Sequence, residues 1–546
     1  MTESTLPPKN IPLWMAVLPI VVLIVLLVIN VLLYTDNASY GPNQIALLLA
    51  AAVAAVLGLL LKFPFKSMLA GIVKSLESSM TAMLLLLLIG SLTGTWMISG
   101  VVPAMIYYGL DLLNPQIFLF ASVIVCAIVS VATGSSWSTI ATVGVALLGI
   151  GDALGVSQAM AAGAIISGAY FGDKLSPLSD TTNLAAAMAE TELISHIRYM
   201  LWTTVPSISI ALIIFLVIGY SGDTGSAEAI DTTALKEAIA GKFNITPWLF
   251  LVPLAVLALV IMRVDAIAAL FIGVLLGAVF ALLFQSDIVK QVSGLPKETT
   301  EEQVAANYAT HCYSASINAM ATGTSAVSDD EMEEWSNGRD AILLARARQA
   351  TGNDSLTLEQ YNAQAEDIEI DQSTEFDARI SAADLMTGKG MEGMLNTIWL
   401  IVTAMCFGGI MEACGFLRRI TEPLVRMAKT DGSLVATTAG SCMFVNATAS
   451  DQYLAIVVPG RMFRESYQER GLDPRNLSRT LEDSGTVTSV LVPWNTCGAA
   501  QQGVLGVSVI AFAPFCFFNI ISPFMTIFYA IVGLKIARLV GNGKSE

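Results

Sequence analysis

Two pairs of polar interruptions inside apolar sequence constrain this chain more than any other feature. The first pair is Thr133–Thr139 (TGSSWST) followed by Lys174–Asn183 (KLSPLSDTTN). The second is Asn446–Gln452 (NATASDQ) followed by Ser489–Gly498 (SVLVPWNTCG), at a similar internal spacing. Small hydroxyls, carboxylates and prolines in the middle of apolar segments, present twice, are the pattern of a transporter assembled from two copies of one unit. Backbone exposed by such a break must be satisfied internally or line a cavity. The polar groups are therefore expected to converge near mid-membrane.

The remainder of the chain agrees with a membrane setting. Of its 546 residues 55% are hydrophobic and only 13% are charged, against about 25% charged in an average soluble domain. Apolar runs of span length follow one another, which implies an all-α polytopic membrane protein and excludes the alternating strands of a β-barrel. The first run, Leu13–Leu33, is longer than a signal-peptide core and has no clear small-residue cleavage site, so it reads as a retained span. The net charge of −16 is concentrated in residues 286–393, which hold 20 acidic and 7 basic residues. The cysteines show neither a disulfide framework nor zinc-ligand spacing, and His196 and His311 are too isolated for a metal site.

About ten transmembrane helices are expected, at roughly 13–34, 44–61, 79–99, 158–191 (broken), 199–219, 246–262, 266–284, 394–413, 481–508 (broken) and 512–534. Residues 116–150 and 432–462 each have two apolar arms shorter than a span, joined by a polar tip, and read as re-entrant hairpins. The distribution of Lys and Arg supports this choice. Lys9, Lys62, Lys66, Lys74, Arg198, Arg263, Arg418, Arg419, Arg426, Lys429, Arg461, Arg464, Arg470, Arg475, Arg479, Lys535, Arg538 and Lys544 all fall on one side, the cytoplasmic one. Lys236 and Lys242 count mildly against the scheme. The halves then run in opposite directions, an inverted-topology repeat with broken helices at mid-membrane. The domains are a first membrane half over 1–245, the opening spans of the second half over 246–285, an acidic extracytoplasmic insert over 286–393, and the remainder of the second half over 394–546. The insert reads as a solvated appendage with little core.

The breaks carry the chemistry. Hard cations such as Na+ take oxygen ligands, by the logic that governs Ca2+ and Mg2+. Ser135, Ser136, Ser138, Thr139, Ser179, Asp180, Thr181, Thr182 and Asn183 supply oxygens in the first half. Asn446, Thr448, Ser450, Asp451, Asn495 and Thr496 supply them in the second. Carboxylates inside spans are costly and functional, which makes Asp173 and Asp180 the candidate Na+ ligands: each holds Na+ when ionised and carries H+ when neutral. Blander roles compete with these. Asp180 and Asp451 are placed to cap helices. Asp173 is placed to pair with the adjacent Lys174, and Glu482 and Asp483 with Arg479. Trp137 and Trp494 are placed to shield broken backbone.

Four stretches carry a family resemblance: GSSWST (134–139), GAYFGDKLSPLSDTTNLA (168–185), ASDQYLAIVVPGRMF (449–463) and LSRTLEDSGTVTSVLVPWNTCGA (477–499). On these the chain resembles the NhaC family of Na+/H+ antiporters, within the broad ion-transporter grouping. The resemblance implies a multi-pass secondary transporter of the bacterial cytoplasmic membrane. Na+ and H+ would be its transported ions, with no cofactor, no enzymatic activity and no nucleic-acid partner. Some members of the family resemble exchangers that couple Na+–lactate with H+–malate.

The expected function is exchange of Na+ for H+ by alternating access. The alternative is Na+- or H+-coupled transport of a small organic anion or an amino acid. Besides the lipid bilayer and the two ions, a small organic substrate and a second copy in a homodimer are the partners left open. Both termini are expected in the cytoplasm.

Overall fold

The structure, a computed structural model, describes residues 11–34, 38, 40–222, 232–295, 301–351, 353, 355–363, 374, 376–427 and 429–539. Lys9 and Lys544, used in the charge argument, lie outside the described residues. The chain is an all-α polytopic membrane protein. Among the described residues, eight helices are long and apolar enough to cross a membrane, or up to ten if each of two bent helix pairs is one span; the eight include Pro115–Thr133 and Ser136–Ala153, so both arms of the first expected hairpin reach span length instead of falling short of it. The described sheet is two strands of two residues, Thr324–Ser325 and Thr387–Gly388.

Local sequence sets the helix ends. Leu13–Tyr34 holds 22 residues, about 33 Å of helix and enough to cross the hydrocarbon core. Pro42 opens the next helix, Pro42–Leu60, where its missing N–H would have had no partner. The third helix, Phe65–Ile98, is 34 residues long. It starts well before the expected position near 79, because no breaker follows Pro64 and the polar residues Lys66, Lys74 and Ser75 simply extend it beyond its apolar stretch.

This long helix is the spine of the fold. It runs antiparallel to Leu395–Ala413: Gly71 lies against Gly409, and Gly90 against the carbonyl of Gly390 and Met394. Small residues at such crossings let two backbones approach closely where the surrounding lipid provides no hydrophobic drive.

In the first half, Pro115–Thr133 descends to Gly134 and the chain then doubles back through Ser136–Thr139, a π-helical turn (Ile140–Gly144) and Val145–Ala153. Gly151 on the returning arm lies against Phe118 near the start of the descending one. Gln158–Leu175 then runs parallel to Pro115–Thr133. Gly168 lies on the Val123 carbonyl, Gly172 on that of Ala127, and Ser130 donates to the Ala169 carbonyl at 2.6 Å. The second half shows a related path. Asp431–Thr448 turns at Ser450 (φ 60°) into Gln452–Glu469, and Pro474–Leu481 leads into a π-helical turn, Glu482–Thr486. Gly485 packs on Ala455 and Ile456, and the Asn446 amide donates to the Gly485 carbonyl at 2.7 Å.

The acidic insert is more than a solvated appendage. Its helix Glu301–Ala321 seats Ala319 on Gly94 of the long helix so tightly that a Cβ at Gly94 would lie 1.8 Å from the Ala319 carbonyl oxygen. Ser91 donates to the Met320 carbonyl at 2.9 Å. Ala315, Ala326, Val327, Ala382, Ala383 and Met386 join the main core. Alanine and glycine build this contact through backbone proximity, which counting hydrophobic side chains overlooks. Helix Asp329–Thr351 has its own small cluster, Leu343, Ala347, Leu356 and Tyr361. The two lysines that sat awkwardly in the charge scheme are paired: Lys236 with Asp111 at 2.5 Å and Lys242 with Glu331 at 2.5 Å.

Candidate functional site

The first tip is shaped by Gly134, which ends its helix in the left-handed region (φ 71°). A Cβ there would lie 2.6 Å from that of Leu178, so glycine lets the tip touch the break in the neighbouring helix. Ser135 caps the following turn, accepting from the Ser138 amide at 3.2 Å. Ser136 then donates to one oxygen of Asp173, from its backbone N–H at 3.0 Å and its hydroxyl at 2.7 Å. The other oxygen of Asp173 is buried and has no hydrogen-bond partner among the described residues.

The break after Asp173 is built on Pro177 and Ser179. Ser179, not Asp180, caps the helix Asp180–Ala189. The Thr182 hydroxyl donates to the Lys174 carbonyl at 3.1 Å, and the Asn183 amide to those of Pro177 (3.1 Å) and Ser179 (2.6 Å). These oxygens and amides are used in closing the broken backbone. Asp180 keeps its side chain at the opening, where its carboxylate accepts from the Tyr453 hydroxyl of the second half.

At the second tip Asp451 does cap a helix, accepting from the Leu454 amide at 2.8 Å. Asn446 and Asn495 cross-link the tip to the second break at 3.0–3.1 Å, and Asn495 caps Thr496–Leu505. Thr448 bonds back to the Phe444 carbonyl, and the Ser450 carbonyl accepts from the Thr496 amide. Trp494 shields backbone, donating to the Ala447 carbonyl at 2.7 Å.

Both tips and both breaks meet at one cavity of about 110 Å³. From the expected residues it gathers Ser135, Asp173, Asp180, Thr181, Asp451 and Thr496. Ser136, Thr139, Ser179, Thr182, Asn446, Thr448, Ser450 and Asn495 stand behind this wall and build the backbone around it. Ser138 faces elsewhere, into an apolar cavity of about 180 Å³ with Thr133 and Thr142. Asn183 is exposed. Among the described residues, three carboxylates and several hydroxyls line the central cavity, and no lysine, arginine or histidine does. Among the described residues no three His, Cys, Asp or Glu side chains gather into a metal site, so a cation there would draw on mixed oxygen ligands.

Lys174 is engaged on the far side. Its ammonium pairs with Asp483 of the second half, both side chains fully buried, and lies 3.2 Å from the Ser522 hydroxyl. The expected pairings of Asp173 with Lys174, and of Asp483 with Arg479, are therefore replaced by a tie between the halves. Arg479 instead lies 4.6 Å from the ring centre of Tyr199 and donates to the Lys535 carbonyl.

The Na+/H+ antiporter family model matches residues 168–295 and 368–534, which contain both breaks, the second tip and Asp173, Asp180 and Asp451. The chain belongs to the Na+/H+ antiporter family. It is 32% identical to the Na+/H+ antiporter NhaC of Alkalihalophilus pseudofirmus over 91% of each chain. It is 31% identical to the malate-2H+/Na+-lactate antiporter of Bacillus subtilis over 90% of each. It is 29% identical to the arginine/ornithine antiporter ArcD of Halobacterium salinarum over 97% of this chain and 94% of that one. The family match leaves out 296–367, a narrower segment than the acidic insert of 286–393.

The antiporter cavity also takes residues that were not among the candidate ligands. Ser78, Ser79 and Thr81 come from the long helix, Gln452 and Cys497 from within the second tip and break, and Tyr453 from the position after that tip. The hydroxyl run Ser78-Ser79-Met80-Thr81 inside an apolar helix was the available signal for the first three.

Proposed function

We propose that this antiporter exchanges Na+ for H+ across the cytoplasmic membrane by alternating access, with Na+ held in the cavity between the two breaks. One observation carries the reading: among the described residues the cavity wall has Asp173, Asp180 and Asp451 and no basic side chain, while Lys174, next to Asp173 in sequence, is paired with Asp483. Coulomb attraction in such a site favours a small cation. Asp173 is the principal ligand, because one of its oxygens has no protein partner and the other is held by Ser136. Na+ binding at this carboxylate and proton binding in the buried cluster oppose one another, so that release of one ion on either side admits the other.

The inverted repeat and the re-entrant course of the hairpins belong to this proposal. The doubling back of the chain at both tips supports them, as do the parallel approach of Gly168 to Val123 and the matching contact of Asn446 with Gly485. With both termini cytoplasmic, the segment 286–393 is extracytoplasmic.

An organic substrate is the second reading, prompted by the names of two relatives. Among the described residues a dicarboxylate meets no cationic side chain in the cavity wall, whereas the ammonium of a cationic amino acid meets three carboxylates. The test is purified protein in liposomes containing a pH-sensitive dye. A Na+ gradient alone is expected to move protons. If protons move only when malate, lactate, arginine or ornithine is added, the cation-only reading fails.

A further inference from the structure

The turn that supplies Asp483 holds a second acid with a different environment. Glu482 is fully buried in the π-helical turn Glu482–Thr486, and neither of its carboxylate oxygens has a hydrogen-bond partner among the described residues. It does not line the cation cavity. The Thr486 hydroxyl on the same turn is likewise buried, without a hydrogen bond of good geometry, and is the polar side chain that sits beside the acid. Buried polar groups are nearly always partnered, so a fully enclosed acid with two unpartnered oxygens calls for a reason.

The surroundings supply one. Asp173 and Lys174, on the first broken helix, and Asp483, on its own turn, are the charged groups close enough to act on Glu482. Lys174 is already committed to Asp483. Arg479, one turn earlier, gives one nitrogen to the Lys535 carbonyl and stacks on the Tyr199 ring; its other two nitrogens are buried without a hydrogen-bond partner among the described residues, and it is not among the charges that act on Glu482. His196 is buried on the neighbouring helix and lies within electrostatic range of Lys174. Other hydrogen bonds to this turn come from neutral groups: Asn446, Gln452, Thr488 and Ser489 bond its backbone, Asn519 bonds that of Val487, and Ser522 bonds Asp483. An uncompensated charge is poorly tolerated in such a place, so the acid is suited to hold a proton until a cation arrives nearby.

We propose that Glu482 is a proton-carrying group of the exchange, lodged behind the Na+ cavity rather than in its wall. This rests on the Na+/H+ reading above. Na+ arriving at ionised Asp173 adds one positive charge, which favours breaking the O–H bond of Glu482 and release of one proton. Departure of Na+ restores that bond with a proton taken from the opposite side. The charge of the buried cluster is then the same in both loaded forms, and one Na+ is exchanged for one H+. Unpartnered buried hydroxyls on this turn and on the helices packed against it, Ser484, Thr486, Ser441 and Thr526, provide polar sites along which water can lead the proton.

The test compares two fluxes in liposomes for the wild type, Glu482→Gln and Glu482→Asp. Glutamine mimics the protonated acid and keeps its volume. Glu482→Gln is expected to reduce Na+-driven proton movement at least tenfold while radioactive Na+/Na+ exchange stays within fivefold of wild type. Glu482→Asp should restore part of the proton movement with a displaced pH profile. Wild-type proton coupling in Glu482→Gln overturns the proposal. So does loss of both fluxes in protein that elutes and melts like wild type, since Glu482 would then act on cation passage as a whole. If the wild type moves no protons with Na+ while exchanging Na+ for Na+, the exchange reading itself fails and Glu482 has no proton step to serve.

Discussion

Ser136 donates both its backbone N–H (3.0 Å) and its hydroxyl (2.7 Å) to a single oxygen of Asp173. The first tip thereby orients the carboxylate of the first broken helix and leaves its second oxygen without a hydrogen-bond partner among the described residues. Hydrogen bonds to a charged group contribute about 1.5–3 kcal/mol. Ser136→Ala keeps the backbone donor, so the expected outcome is a roughly tenfold rise in half-saturating Na+ with exchange retained. Asp173→Asn removes the ligand charge and should abolish Na+-driven proton movement. Dye-loaded liposomes over a Na+ series check both.

Lys174 and Asp483 tie the two halves together at a point where neither side chain reaches solvent. Removing one partner of a buried pair strands the other charge, at about 3–5 kcal/mol, whereas replacing both with apolar groups is often neutral. Lys174→Met alone should lower the melting temperature sharply, and Lys174→Met/Asp483→Leu should recover most of the loss. Thermal unfolding in detergent measures this. If the double variant also exchanges Na+ normally, the pair acts as a structural link only.

Much of this architecture was legible in the sequence, and the gaps have physical causes. Hydropathy and the two duplicated breaks pointed to an all-α membrane fold and to six of the residues now found in one cavity wall. Which oxygens face the cavity was not legible, because a broken helix consumes many of its own polar groups. Ser179, Thr182 and Asn183 look identical to ligands until their backbone partners are seen. The Lys174–Asp483 pair joins residues 309 positions apart, a separation across which local reasoning has no reach. The packing of the insert was missed because Gly94 and Ala319 make their contact through backbone rather than hydrophobic bulk.

That insert contact gives a direct stability test. A Cβ at Gly94 would lie 1.8 Å from the Ala319 carbonyl oxygen, a backbone atom that cannot turn aside. Overpacking of this kind destabilises by about 1–3 kcal/mol. Gly94→Ala should therefore lower the melting temperature and reduce the yield of monodisperse protein. Gly440→Ala is the control: among the described residues nothing lies within 4 Å of a Cβ there, and alanine favours the helix Asp431–Thr448. Equal behaviour of the two variants would mean that the insert does not press on the long helix.

The last prediction separates capping from ion binding at the first break. Ser179 supplies the cap for Asp180–Ala189, so Ser179→Ala should remove about 1 kcal/mol of stability and leave the Na+ dependence nearly unchanged. Asp180 instead faces the cavity and accepts from Tyr453 across the boundary between the halves. Asp180→Asn should abolish Na+-dependent exchange in folded protein. Tyr453→Phe leaves the carboxylate and removes only its neutral partner, so half-saturating Na+ should rise by less than about tenfold. Flux measurements paired with melting curves place each variant on one axis or the other. Wild-type exchange in Asp180→Asn would remove this carboxylate from the ion path and leave Asp173 and Asp451 as the charged ligands.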